Sequence, residues 1–155
     1  MNDKSSDKPI VHTTFTLERT YPAAPSRVFA AFADPELKAR WFIVPEGSRV
    51  TRRELDFRVG GEEAFEGVLP NGVDSRYLAR FYEIIPDQRI VYTYDMHHDG
   101  KHLSLSLVSV QLRPSGRGTH LLLTEQDAYL DGQDGSESRA RGTGWHLDNL
   151  GKLVG

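Results

Sequence analysis

The chain has 155 residues, 38% of them hydrophobic and 10% aromatic, which fits one globular domain able to bury a core of its own. Its net charge of −3 comes from 19 basic and 22 acidic residues in mixed order, leaving no electrostatic footprint for nucleic acid or an anionic lipid surface. There is no cysteine, so disulfides, thiol catalysis and Cys-ligated zinc are excluded.

Residues 1–8, MNDKSSDK, are polar and read as a disordered tail ahead of a single domain over 9–155. No signal peptide is visible, and no apolar run approaches the roughly 20 residues of a membrane helix. A soluble, cytoplasmic protein with no membrane partner is the expectation. Val11 to Thr20, rich in Thr, Val and Phe, reads as a first strand. Two short helices follow, because Pro25 and Pro35 each suit a first helical turn and Asp34 suits an N-cap. Val28, Phe29 and Phe32 mark the inner face of the first helix, and Leu37 and Trp41 that of the second.

From Arg49 the period changes to two. Leu55, Phe57 and Val59 alternate with Glu54, Asp56 and Arg58, and Gly60-Gly61 turns the strand. The basic cluster Arg49, Arg52 and Arg53 merges into it and reads as a solvated face. Ala64 to Leu69 is a short strand ended by Pro70-Asn71-Gly72, an Asn-Gly signal for a two-residue hairpin turn. Arg76 to Ile85, Arg89 to Met96, His102 to Arg113 and Thr119 to Asp127 complete seven strands separated by turns. In His102 to Arg113, Leu103, Leu105 and Leu107 share one parity, whereas Val108, Val110 and Leu112 share the other. Either a bulge near Leu107-Val108 or a sheet covered on both faces would resolve the conflict.

The last segment, Asp134 to Gly155, has a capping signal in Asp134 and Glu137. A helical stripe runs through Ala140, Thr143, Gly144, Leu147, Leu150, Gly151 and Val154. Gly144 and Gly151 each cost about 1 kcal/mol in helix propensity, so close packing or empty space is required there. Trp145 falls on the Arg141 and Lys152 side, where either a covering loop or a homodimer contact would use it. Strand, two helices, six antiparallel strands and a long helix make an α+β protein. The sheet must curl round the C-terminal helix, and the space between them is a natural pocket.

In this order, the words FADPELKARWF, FRVGG, IIPDQRIVYTYDM, GTHLLLTEQ and YLDG resemble the helix-grip superfamily of START, birch-pollen allergen and polyketide cyclase domains. Within it the chain is similar, over residues 11 to 154, to the family named for activators of the heat-shock-protein-90 ATPase. The resemblance implies a helix-grip fold with a deep apolar cavity, in a superfamily whose members bind lipids, hormones or aromatic polyketides. It also raises a chaperone as a partner, although chaperone activators carry this domain behind another one and none precedes it here. The interval from Gly144-Trp145 to Leu147-Asp148-Asn149-Leu150 is shorter than in many members.

Several chemistries can be weighed residue by residue. His97, His98 and His102 beside Asp95 and Asp99 meet no ligand-spacing rule and sit at a hairpin tip, so no metal is expected. The glycine pairs precede strands rather than a helix, which argues against a phosphate cradle, and no cofactor is expected. No nucleophile elbow is present. Glu125 shares parity with Leu121 and Leu123, which makes it the one candidate acid or base. Its alternatives are pairing with an arginine such as Arg58, or a place at the pocket mouth. The expected ligand-binding set is Trp41, Phe57, Phe65, Phe81, Tyr92, Tyr94, Leu123, Gly144 and Leu147. Binding of a small hydrophobic molecule without chemistry is the first reading, a cyclase or dehydratase the second, and chaperone regulation the third.

Overall fold

A computed structural model describes residues 8–155 of the chain. The disordered-tail expectation falls on residues 1–7, outside the described residues; Lys8 is described and packs beside Gly132. In order, the elements are β1 (Val11–Tyr21), α1 (Pro25–Ala33), α2 (Pro35–Trp41), β2 (Arg49–Leu55), β3 (Glu62–Val68), β4 (Asp74–Ile85), β5 (Arg89–His98), β6 (Lys101–Ser115), β7 (Gly118–Tyr129) and α3 (Ser136–Val154). The seven strands form one curved antiparallel sheet in the order β1-β7-β6-β5-β4-β3-β2. Only β1 leaves the meander: α1 and α2 carry the chain from one edge of the sheet to the other, and β7 returns to pair with β1. This is the expected α+β helix-grip arrangement.

Local chemistry explains the boundaries. Asp34 closes α1 by donating its amide to Ala30 O, and opens α2 by accepting the amides of Glu36 and Leu37 on Oδ1 at 2.9 and 3.4 Å. The inner face of α2 is Lys38 and Trp41, with Leu37 only half-buried, because Trp41 Nε1 donates to Ala31 O at 2.8 Å and so fixes the helix rotation. At α3, Asp134 Oδ1 accepts the Ser136 amide at 3.0 Å, whereas Glu137 pairs with Arg141 instead of reaching back to complete a capping box. The two helix glycines answer to close packing. A Cβ on Gly151 would lie 3.1 Å from the Tyr21 ring, and one on Gly144 3.1 Å from the Arg19 guanidinium. Tyr21 Oη also donates to Leu147 O at 2.8 Å, and Arg19 Nε to Asp148 at 2.8 Å, which ties α3 to the β1 edge.

Three expectations from the strand patterns need correction. First, β2 stops at Leu55. Asp56 donates its amide to Glu62 O, Gly60 takes φ +82, and Val59 is left 59% exposed, so the alternating run ends in a turn. Second, Asn71-Gly72 is not a two-residue turn. Only Gly72 has positive φ, and Leu69 pairs with Val73 across a three-residue loop. The two-residue turn with both residues left-handed is Asp99-Gly100. Third, no bulge lies at Leu107-Val108. Register runs unbroken there, with Ser104, Ser106, Val108, Val110 and Leu112 all buried and Leu105 and Leu107 turned to the outer face. The irregularity is at Leu103, left between the pairs Met96 with Ser104 and His97 with His102.

Candidate ligand cavity

Beneath the first half of α3 the inner face of the sheet is not filled by side chains. A cavity of about 460 Å³ opens there, floored by β3 to β7 and roofed by α2, the segment after it, and α3. Ser138 and Gly142 of α3 are exposed at its rim, and a Cβ on Gly142 would meet nothing within 4 Å. Of the residues expected to bind a ligand, Trp41, Phe65, Tyr92, Tyr94, Leu123 and Leu147 line the cavity. Phe57, Phe81 and Gly144 do not. Phe81 packs edge-on against Phe57 at 5.0 Å within the closed core, and Gly144 faces Arg19. Trp145 is 41% exposed and edges the cavity mouth beside His146.

The aromatic wall is continuous. Phe42, which the sequence reading passed over, joins it by packing against Phe65 at 5.2 Å and Tyr77 at 5.0 Å, and Tyr77 lies 4.8 Å from Tyr94. Phe42 is held from outside by Arg53, whose guanidinium donates to its carbonyl at 2.6 Å while lying 3.7 Å over the Phe65 ring. Lys38 also reaches the cavity, paired with Glu63 at 2.6 Å in a bridge that is almost fully buried. His146 donates Nε2–H to Ile43 O at 2.8 Å, and burial pushes its pKa down, which favours the uncharged ring.

Glu125 enters the cavity wall at 1% exposure, as its parity predicts, and its arginine is Arg139 rather than Arg58, which pairs with Asp56. Tyr94 Oη donates to Glu125 Oε2 at 2.7 Å. Arg139 Nη1 lies 3.7 Å from Glu125 and 3.7 Å from Asp127, while its hydrogen bonds go to Tyr94 Oη at 2.9 Å, Ser106 Oγ at 3.3 Å and Ser104 Oγ at 2.9 Å. Ser106 and Tyr129 in turn donate to Asp127. Burial, then the neighbouring Asp127 carboxyl, push the Glu125 carboxyl up to about 8; Tyr94 and Arg139 only partly offset this. The folded chain therefore favours the protonated form of Glu125.

Sequence reasoning missed Asp127, Arg139, Ser104 and Ser106. Asp127 was findable, because it shares the parity of Glu125. The serines carried a signal that was misread: they are small polar residues on the inward parity of β6, next to leucines that look like core and are not. Arg139 gave none, since it stands one position before the apolar stripe. At the hairpin tip, His97 and His102 stack at 4.5 Å and His102 bonds Asp95 at 2.7 Å. Among the described residues no group of three or more His, Asp or Glu side chains is placed to hold a metal ion.

Solved structures resemble this one over nearly its whole length. A Rhizobium loti protein is 43% identical with a TM-score of 0.87, covering 94% of this chain and 99% of its own. A Rhizobium leguminosarum protein is 34% identical with a TM-score of 0.89, covering 94% and 96%. A Chromobacterium violaceum protein is 31% identical with a TM-score of 0.74, covering 91% and 96%. No curated protein matches. Residues 22–155 match the family described as "Activator of Hsp90 ATPase homolog 1-like protein", and the chain belongs to that family.

Proposed function

We propose that the chain binds a small hydrophobic or aromatic molecule in the cavity beneath α3, with no reaction required. The carrying observation is the unfilled space itself, about 460 Å³ within an otherwise close-packed sheet-and-helix core. Its size falls in the range of about 300–1,000 Å³ common to small-molecule sites, and it combines aromatic walls with a few convergent polar groups. Titration with an apolar fluorescent dye should give saturable 1:1 binding. Leu123→Trp, which adds bulk at a buried position in the cavity wall, should abolish that binding while leaving the fold intact by circular dichroism. Dye binding unchanged in Leu123→Trp would sink the proposal.

One observation favours a second reading, acid/base chemistry of the cyclase or dehydratase kind. A carboxyl that keeps its proton near neutrality, beside a tyrosine and open to a cavity, is equipped to deliver that proton to a bound molecule. In that case Glu125→Gln should abolish turnover of a polyketide-like panel while dye binding persists. Absence of turnover by the unaltered chain would dispose of this reading.

A further inference from the structure

The polar end of the cavity says more about a ligand than the apolar walls do. Two carboxyls, Glu125 and Asp127 on β7, are set at 3.7 Å against a single guanidinium, Arg139 on α3. The other groups around them are hydroxyls: Tyr94 from β5, Ser104 and Ser106 from β6, and Tyr129 from β7. Burial keeps Tyr77 and Tyr92 protonated, and burial followed by the charge of Arg139 pushes His98 down, so these neighbours supply no compensating charge near neutrality. Lys38 is already balanced by Glu63. One guanidinium faces two carboxyls, and burial of Glu125 favours the form in which its carboxyl keeps its proton.

The consequence for a guest follows from charge. An anionic head group would enter beside two buried carboxyls that share one guanidinium. A cationic head group would have to stand beside Arg139. An uncharged acceptor oxygen disturbs neither balance and meets the Glu125 carboxyl, which lines the cavity and can donate its proton. Resting on the ligand-binding function proposed above, we infer that the Glu125 end is a subsite for an uncharged hydrogen-bond-accepting oxygen, a carbonyl on an apolar or aromatic body, and that it turns away carboxylates of the same shape.

Four naphthalenes of matched shape test this: 2-acetylnaphthalene, 2-ethylnaphthalene, 2-naphthoate and 2-naphthylmethylamine, titrated calorimetrically at about pH 6 and about pH 10, either side of the Glu125 titration. At the lower pH the ketone should bind about tenfold more tightly than the hydrocarbon, the value of one hydrogen bond to a buried donor, and the two ions more weakly than either. The ketone's advantage should shrink at the higher pH, where Glu125 has lost its proton. Glu125→Gln should flatten that pH profile, a readout that a merely structural role would not produce. At the lower pH, naphthoate or the amine binding as tightly as the ketone would overturn the inference, as would a ketone no better than the hydrocarbon. In either case a bound hydrocarbon would leave the broader ligand-binding proposal standing; if none of the four binds, both fall.

Discussion

Along the sheet's inner face, two halves built from the same strands behave oppositely. In one half, Val108, Val110 and Leu112 of β6 and Leu121 of β7 meet Ile90, Phe81 and the C-terminal half of α3 through Leu150 and Val154, all buried. In the other, β6 presents Ser104 and Ser106, β7 presents Glu125 and Asp127, and α3 presents Ser138, Arg139 and Gly142. Three consecutive elements change from apolar to polar at the same level of the fold. The closed half supplies stability in the ordinary way, through dispersion and the removal of apolar surface from water. The open half forgoes that contribution and instead buries ionisable groups, which are tolerated because a guanidinium and four hydroxyls satisfy them. A chain selected only for stability would be expected to fill this space with leucine.

The contrast makes two measurable claims beyond the binding experiments. The larger concerns the closed half. Leu150 is fully buried between α3 and the sheet, and Leu150→Ala should cost about 2–5 kcal/mol in chemical denaturation, because the neighbours cannot collapse into the void. A loss below about 1 kcal/mol would mean that this half is looser than it looks.

The smaller claim concerns the open half and depends on pH. Glu125 is ordinarily protonated only below about 4.5, and in the folded chain it is held up to about 8. Below the first value it is protonated in both states and adds no pH dependence. Between the two values the folded state binds the proton and the unfolded state does not, so stability should fall as pH rises, by up to about 1.4 kcal/mol per pH unit, and level off above the second. Glu125→Gln should remove this slope, so that the variant gains on the parent chain as pH rises. Parallel stability profiles for the two proteins would show that Glu125 is not the buried proton's holder.

Much of this was decided by local sequence. Asp34 between two prolines positions tandem helices wherever the chain goes, because its carboxylate caps amides two and three residues away. Likewise, alternating strands joined by short turns make a meander, and an apolar stripe at the C-terminus requires a sheet to cover it. Glu125 was readable as inward from Leu121 and Leu123, since strand parity is a local property. The tertiary structure alone decided which inward residues pack and which face a cavity. Gly144 and Gly142 look alike in sequence, yet one abuts Arg19 and the other meets nothing, because α3 leans toward β1. Arg139 is unremarkable until the fold brings β5, β6 and β7 beneath it, where it balances two carboxyls some 12 to 14 positions earlier in the chain. Parity tells a side chain which face to take; what waits there depends on elements that sequence spacing does not connect.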